Sequence, residues 1–291
     1  MNFKLLIISI LFFSPILFGQ IKETHTYAIK DGEELKLDIY YPETFDEKSK
    51  FPTIVWMHGG GFSGGSRDFD VDKLFCEEIA KRDFIAVSIS YRLTRKGTKE
   101  GVGCDCPAET KLETFRKASE DYLDAVSYLV ENYSKFKIDT EKLIAGGSSA
   151  GAEGILNALF MKKNWFGNKY DNLNFAGFLS FAGAVLPDAD LNSEELIPGI
   201  FFHGAKDDLV PFDTQSHHLC EMNQPGFFML KGSNTIVDEY KKQSKPYFLF
   251  ASKEGKHEHS AIPFDYLEDL FLYINRVMIN QKYLAQEIWV H

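Results

Sequence analysis

The sequence predicts an α/β class domain: a mostly parallel central sheet covered by helices on both faces, with an antiparallel hairpin at its N-terminal edge. Three observations lead there. Short apolar runs without alternation recur along the chain, segments of helical period lie between them, and no repeat, low-complexity tract or Pro/Ser-rich linker divides the 291 residues. With 44% hydrophobic and 25% charged residues the composition is globular, and the formal net charge of −10 opposes binding to a polyanion, so nucleic acid is not an expected partner.

Taken in order, Asn2 to Lys4 is a short basic start and Leu5 to Phe18 is almost wholly apolar. The run is shorter than the roughly 20 residues a spanning helix needs, and the small Gly19 follows it. Residues 1–19 therefore read as an export signal, with 20–291 as one domain and no stable membrane anchor after cleavage; the expected location is periplasmic or secreted. Thr24–Lys30 and Glu34–Tyr41 flank Asp31-Gly32, a hairpin signal. Thr53–Met57, Phe84–Ser90, Leu143–Ala145, Phe175–Phe181, Gly199–Phe202 and Tyr247–Phe250 read as strands buried on both faces, the last of these ending the sheet. Helices are expected near Val71–Lys81, Lys111–Tyr133, Ala150–Lys162, Ser233–Lys242 and Phe264–Ile279. In the second, Leu112, Phe115, Ala118, Tyr122, Ala125, Val126, Leu129 and Val130 share one face.

Export would let Cys76, Cys104, Cys106 and Cys220 pair, but four cysteines allow three full connectivities and the sequence does not choose among them. Cys104-Asp105-Cys106 invites a metal reading. A closed zinc site needs four convergent ligands and no second Cys/His pair has the usual spacing, so no metal and no cofactor is expected, and a loop disulfide is preferred.

Two segments match G-x-S-x-G: Gly61–Gly65 and Gly147–Gly151. An exposed nucleophile needs a sharp turn leading straight from a buried strand into a helix. Only the second has that setting, which makes Ser149 the candidate nucleophile and leaves Ser63 in a glycine-rich loop. That loop, His58-Gly59-Gly60-Gly61-Phe62, directly follows a strand. Acyl transfer builds negative charge on a carbonyl oxygen, and backbone N–H groups of Gly60 and Gly61, with Ala150 at the start of the following helix, suit its stabilisation. A phosphate-binding loop would also need a Lys-Ser/Thr pair, which is missing here. A serine hydroxyl needs an imidazole to take its proton and a carboxylate to orient that ring. Later strand exits supply both: Asp207 and Asp208 after Gly199–Phe202, and His257 and His259 after Tyr247–Phe250. His58 and His203 read as braces for their loops. Phe62 and the His217-His218 pair, the latter in a stretch placed to overhang the site, are candidates for lining the substrate.

These motifs, HGGGF at His58–Phe62, Tyr91-Arg92, GGSSAG at Gly146–Gly151, HG-x-x-D-x-x-VP from His203 to Pro211 and G-x-H-E ending at Glu258, resemble the α/β-hydrolase family, specifically its HGGG-type carboxylesterases. The resemblance implies that fold and a Ser149, His257, Asp207 triad. It extends to exported bacterial esterases, including feruloyl and acetyl-xylan esterases, and so implies small-molecule or polysaccharide-linked esters as substrates. The short connection Ala182–Ile197 leaves little room for a lid, so small or extended soluble esters are expected over triglycerides. The rivals are a serine peptidase of the same fold and a binding protein that keeps the pocket without the chemistry.

Overall fold

A computed structural model describes residues 22–291 apart from 47 and 193. The expected export signal lies outside the described residues. In chain order the elements are β1 (Lys22–Lys30), β2 (Glu33–Tyr40), β3 (Phe51–Met57), α1 (Asp70–Ala80), β4 (Ile85–Ile89), α2 (Ala108–Glu131) and the short α3 (Tyr133–Phe136). Next come β5 (Ile138–Ser148), α4 (Ala150–Phe160), α5 (Lys162–Phe166), β6 (Gly177–Phe181), β7 (Ala184–Val185), β8 (Gly199–Gly204), β9 (Thr214–Ser216) and β10 (Met229–Gly232). The chain finishes with α6 (Ser233–Lys242), β11 (Tyr247–Ser252), α7 (Leu267–Tyr273) and β12 (Ala285–Val290).

The main sheet runs β1-β2-β4-β3-β5-β6-β8-β11-β12. The β1–β2 hairpin turns at Asp31 and Gly32, both at positive φ, and β2 joins β4 antiparallel; every later pairing is parallel. The unbroken apolar runs follow from burial on both faces. Along β3, Val55 and Met57 enter one core with residues of α2, α4 and α6, while Ile54 and Trp56 enter a second with residues of α1 and α7. The Tyr91-Arg92 pair lies just past the end of β4. Arg92 forms an ion pair with the buried Asp121 of α2 at 2.8 Å, and Lys30 of the hairpin reaches the same carboxylate at 2.9 Å.

Four expectations need correction. Tyr247–Phe250 does not end the sheet: β12 pairs parallel with β11 from Tyr247↔Ala285 to Ser252↔Val290. Its Ala-Gln-Glu-Ile-Trp-Val sequence is half exposed, as an edge strand permits, and therefore lacks the apolar run that marks the inner strands. The expected helix over Phe264–Ile279 is split into a 3₁₀ turn (Phe264–Tyr266), α7 and a π-helical turn (Ile274–Ile279). In α2, Leu112 is exposed and Lys111 is fully buried in its place. Finally, β7, β10 and β9 form a separate small antiparallel sheet, unforeseen because its strands are only two to four residues long. The cysteine question resolves to Cys104–Cys220, with Cys76 and Cys106 as buried free thiols.

Parallel register brings the strand exits together. Met57 pairs with Gly147, so the His58 loop emerges beside the turn after β5, and Ser252 pairs with Gly204, so the loops after β8 and β11 also emerge as neighbours.

Candidate active site

Ser149 sits on the turn between β5 and α4 at φ 50°, ψ −122°, a left-handed φ that a serine adopts only under constraint. Its N–H donates to Phe181 O at 2.8 Å and its carbonyl accepts from Glu153 N at 2.9 Å, which fixes the turn to β6 on one side and to the helix on the other. The flanking glycines are required by space. A Cβ on Gly147 would lie 2.5 Å from the Gly151 carbonyl, and one on Gly151 would lie 2.1 Å from Met57 O. Ser63 of the other G-x-S-x-G match bonds within its own turn to Gly60 O at 3.2 Å.

The structure joins three of the expected residues in one chain of hydrogen bonds. Ser149 Oγ lies 2.8 Å from His257 Nε2, and His257 Nδ1 lies 2.8 Å from Asp207 Oδ2. The carboxylate sets the tautomer: Nδ1–H donates to Asp207, which leaves the Nε2 lone pair for the serine O–H. The second Asp207 oxygen accepts from Leu209 N at 2.9 Å and Val210 N at 3.0 Å, so the side chain is locked from both ends. Burial alone would raise the Asp207 carboxyl, but hydrogen bonds from His203 and His257 outweigh it and hold the group well below the usual carboxylate range. The alternatives separate cleanly. Asp208 is exposed and bonded to Lys256, and His259 packs against the Phe250 ring with Glu258 as its nearest carboxylate at 3.9 Å.

Gly60, Gly61 and Ala150 line the same cavity of about 310 Å³ as Ser149 and His257. Gly60 (φ 115°) and Gly61 (φ 60°) turn the loop toward the serine. Among the described residues the N–H groups of Gly60 and Gly61 have no acceptor within the chain. His58 braces this loop through Nδ1 and Gly59 O at 2.7 Å, while Tyr91 O–H donates to His58 O at 3.0 Å. Burial pushes the His58 imidazole down, so it is a neutral brace at pH 7. His203, also a brace, bonds Ser233 at 2.8 Å and Val210 O at 3.1 Å.

Phe62 does not line the cavity. It is fully buried against Phe115, at 5.3 Å between ring centroids, because its positive φ turns the side chain down into the core. His217 and His218 do line it, from the 3₁₀ turn His217–Leu219 that follows β9. The Cys104–Cys220 bond ties that turn to the loop bearing Val102, another lining residue. Sequence reasoning missed Val102, Leu209, Val210 and above all Glu153, which lies four residues after Ser149 and is buried at the cavity wall. A carboxylate in the otherwise apolar start of α4 was its available signal. An apolar groove of about 420 Å³ adjoins across Gly59 and Gly60, with Phe69, Val71, Ile262 and Phe264 on its walls. A larger cavity of about 530 Å³ lies at the opposite, N-terminal ends of the strands, beside Ala176, Pro198 and Pro246, remote from this chemistry. Among the described residues no three His, Cys, Asp or Glu side chains are grouped to hold a metal, and no helix is long and apolar enough to cross a membrane.

A family model described as BD-FAE matches residues 37–181, which include the HGGG loop and the serine turn. The chain belongs to the α/β-hydrolase esterase family. Its fold is similar to that of a thermophilic esterase, Est2, from Thermogutta terrifontis, with TM-score 0.64 and 18% identity over 88% of this chain and 92% of that one. The same esterase phosphorylated by paraoxon aligns with TM-score 0.62 and 19% identity over 91% of this chain and 96% of that one. Gut esterase 1 of Caenorhabditis briggsae is 30% identical over 130 residues, 44% of this chain and 22% of that protein. The medium-chain fatty acyl-CoA hydrolase precursor of Anas platyrhynchos is 29% identical over 122 residues, 42% of this chain and 20% of that protein. The chain thus spans about a fifth of the length of these curated relatives.

Proposed function

We propose that this α/β-hydrolase is an exported serine carboxylic-ester hydrolase that works through an acyl-enzyme, without metal or organic cofactor, on small or extended soluble esters. The hydrogen-bonded line from Ser149 through His257 to Asp207 carries the reading. Ser149 Oγ attacks the ester carbonyl as His257 Nε2 takes its proton. The developing oxyanion turns to the N–H groups of Gly60, Gly61 and Ala150, the last at the positive end of α4. Collapse expels the alcohol, which takes the proton from His257, and water then repeats the sequence to release the acid. Asp207 stays ionised throughout and holds the imidazolium.

Acyl groups on plant polysaccharides are the extended substrates that fit the family resemblance, and secreted lipases among the relatives support export. The test is hydrolysis of p-nitrophenyl acetate. Ser149→Ala is expected to fold and to lose several orders of magnitude in rate, whereas near-full activity would refute the assignment.

A further inference from the structure

One wall of the site is polar in a way the proposed ester hydrolysis does not use. Glu153 and His217 are both nearly wholly buried and both line the cavity that holds Ser149. Glu153 Oε1 and His217 Nε2 approach to 3.3 Å, yet among the described residues neither of these atoms, nor His217 Nδ1, has a hydrogen-bond partner. Buried polar atoms left unpaired are costly, and a helix start built otherwise from Ala, Gly, Ile and Leu would take a leucine at 153 without that cost. His217 comes from an independent element, the turn held over the site by Cys104–Cys220, so two separate parts of the fold direct unpaired groups at one place.

We propose that Glu153 and His217 form a polar subsite selecting esters that carry a hydroxyl group on the part of the substrate lodged against α4, a proposal that rests on the hydrolase reading above. The donor inventory favours a hydroxyl. Burial raises the Glu153 carboxyl and lowers the His217 imidazole, which favours the uncharged form of each. A neutral carboxyl and a neutral imidazole each offer one donor and at least one acceptor, which matches a group that both donates and accepts. A carbonyl would satisfy only the donors, an alkyl chain would leave every group unpaired, and a charged substituent would meet two uncharged partners in a buried wall.

The experiment compares kcat/KM for matched esters, each corrected for its alkaline hydrolysis rate. The acyl series pairs p-nitrophenyl 3-hydroxybutyrate with p-nitrophenyl butyrate, and the alcohol series pairs 3-hydroxypropyl acetate with propyl acetate. In one series the hydroxylated ester is expected to be preferred by about 10- to 100-fold, the range for satisfying otherwise unpaired buried groups. Glu153→Leu and His217→Phe should each bring that ratio toward unity, and Glu153→Gln, which keeps a donor and an acceptor, should retain most of it. A role confined to holding the turn would lower activity on both members of a pair and leave the ratio unchanged. A wild-type ratio near unity in both series, with Ser149 labelled by a fluorophosphonate, overturns the subsite alone. No labelling and no hydrolysis of any ester overturns the subsite and the hydrolase reading together. Where the leucine variant fails to fold, the wild-type ratio and His217→Phe decide.

Discussion

Replacing Asp207 by Asn tests whether the carboxylate acts by fixing the histidine tautomer. One Asp207 oxygen already accepts two backbone N–H groups, from Leu209 at 2.9 Å and Val210 at 3.0 Å, and only an oxygen can occupy that place. The asparagine amide nitrogen must then face His257 Nδ1, where Asp207 Oδ2 now accepts at 2.8 Å. An N–H donor there forces His257 into the tautomer protonated at Nε2, which can no longer accept the Ser149 proton. Loss of the correct tautomer in such a triad lowers kcat by about 10⁴, equivalent to about 5.5 kcal/mol of barrier. The assay is kcat for p-nitrophenyl acetate at pH 7, with a circular dichroism melt to show that Asp207→Asn folds. A rate within about tenfold of wild type in a folded protein would refute the reasoning.

Other outcomes follow from the same geometry. Gly60→Ala places a Cβ 2.3 Å from Gly64 O at a φ of 115°, so the loop must shift; kcat should fall about 10²–10³-fold, the loss typical of one oxyanion donor, read in the same assay. Cys104→Ser opens a link between residues 116 apart, which should cost about 4–5 kcal/mol and lower Tm by about 7–9 °C, measured by melting with and without reductant. Because burial lowers His218 to about 4, the unfolded chain binds its proton first as pH falls; stability should decline from about pH 6.5 toward 4, and His218→Ala should flatten that part of a urea-derived stability profile.

The inner strands were legible because burial on both faces leaves continuous apolar runs, and β3, β4, β8 and β11 appear close to where those runs lie. The serine turn was legible because only small residues fit at positions 147 and 151. What was not legible depends on direction or on distance across the fold. Phe62 adjoins the glycine loop in sequence, but its backbone angle decides that it faces the core. Asp207 and Asp208 differ only once the turn after β8 exists, since it gives one carboxylate two backbone donors and leaves the other in solvent. The Cys104–Cys220 pairing and the meeting of Glu153 with His217 join residues far apart in the chain, where no local pattern records them. The edge strand β12 is half exposed, and the strands of the small β7, β9 and β10 sheet are only two to four residues long, so neither prints a periodic signal.

On the proposed function Ser149 is a nucleophile activated by His257, 2.8 Å away. Intact-mass analysis after exposure to a fluorophosphonate, followed by peptide mapping, reads that activation without a substrate. One adduct per chain is expected, located on Ser149 and absent from Ser149→Ala and His257→Ala. An unmodified wild-type chain, or an adduct on Ser63 or Ser148, would contradict it.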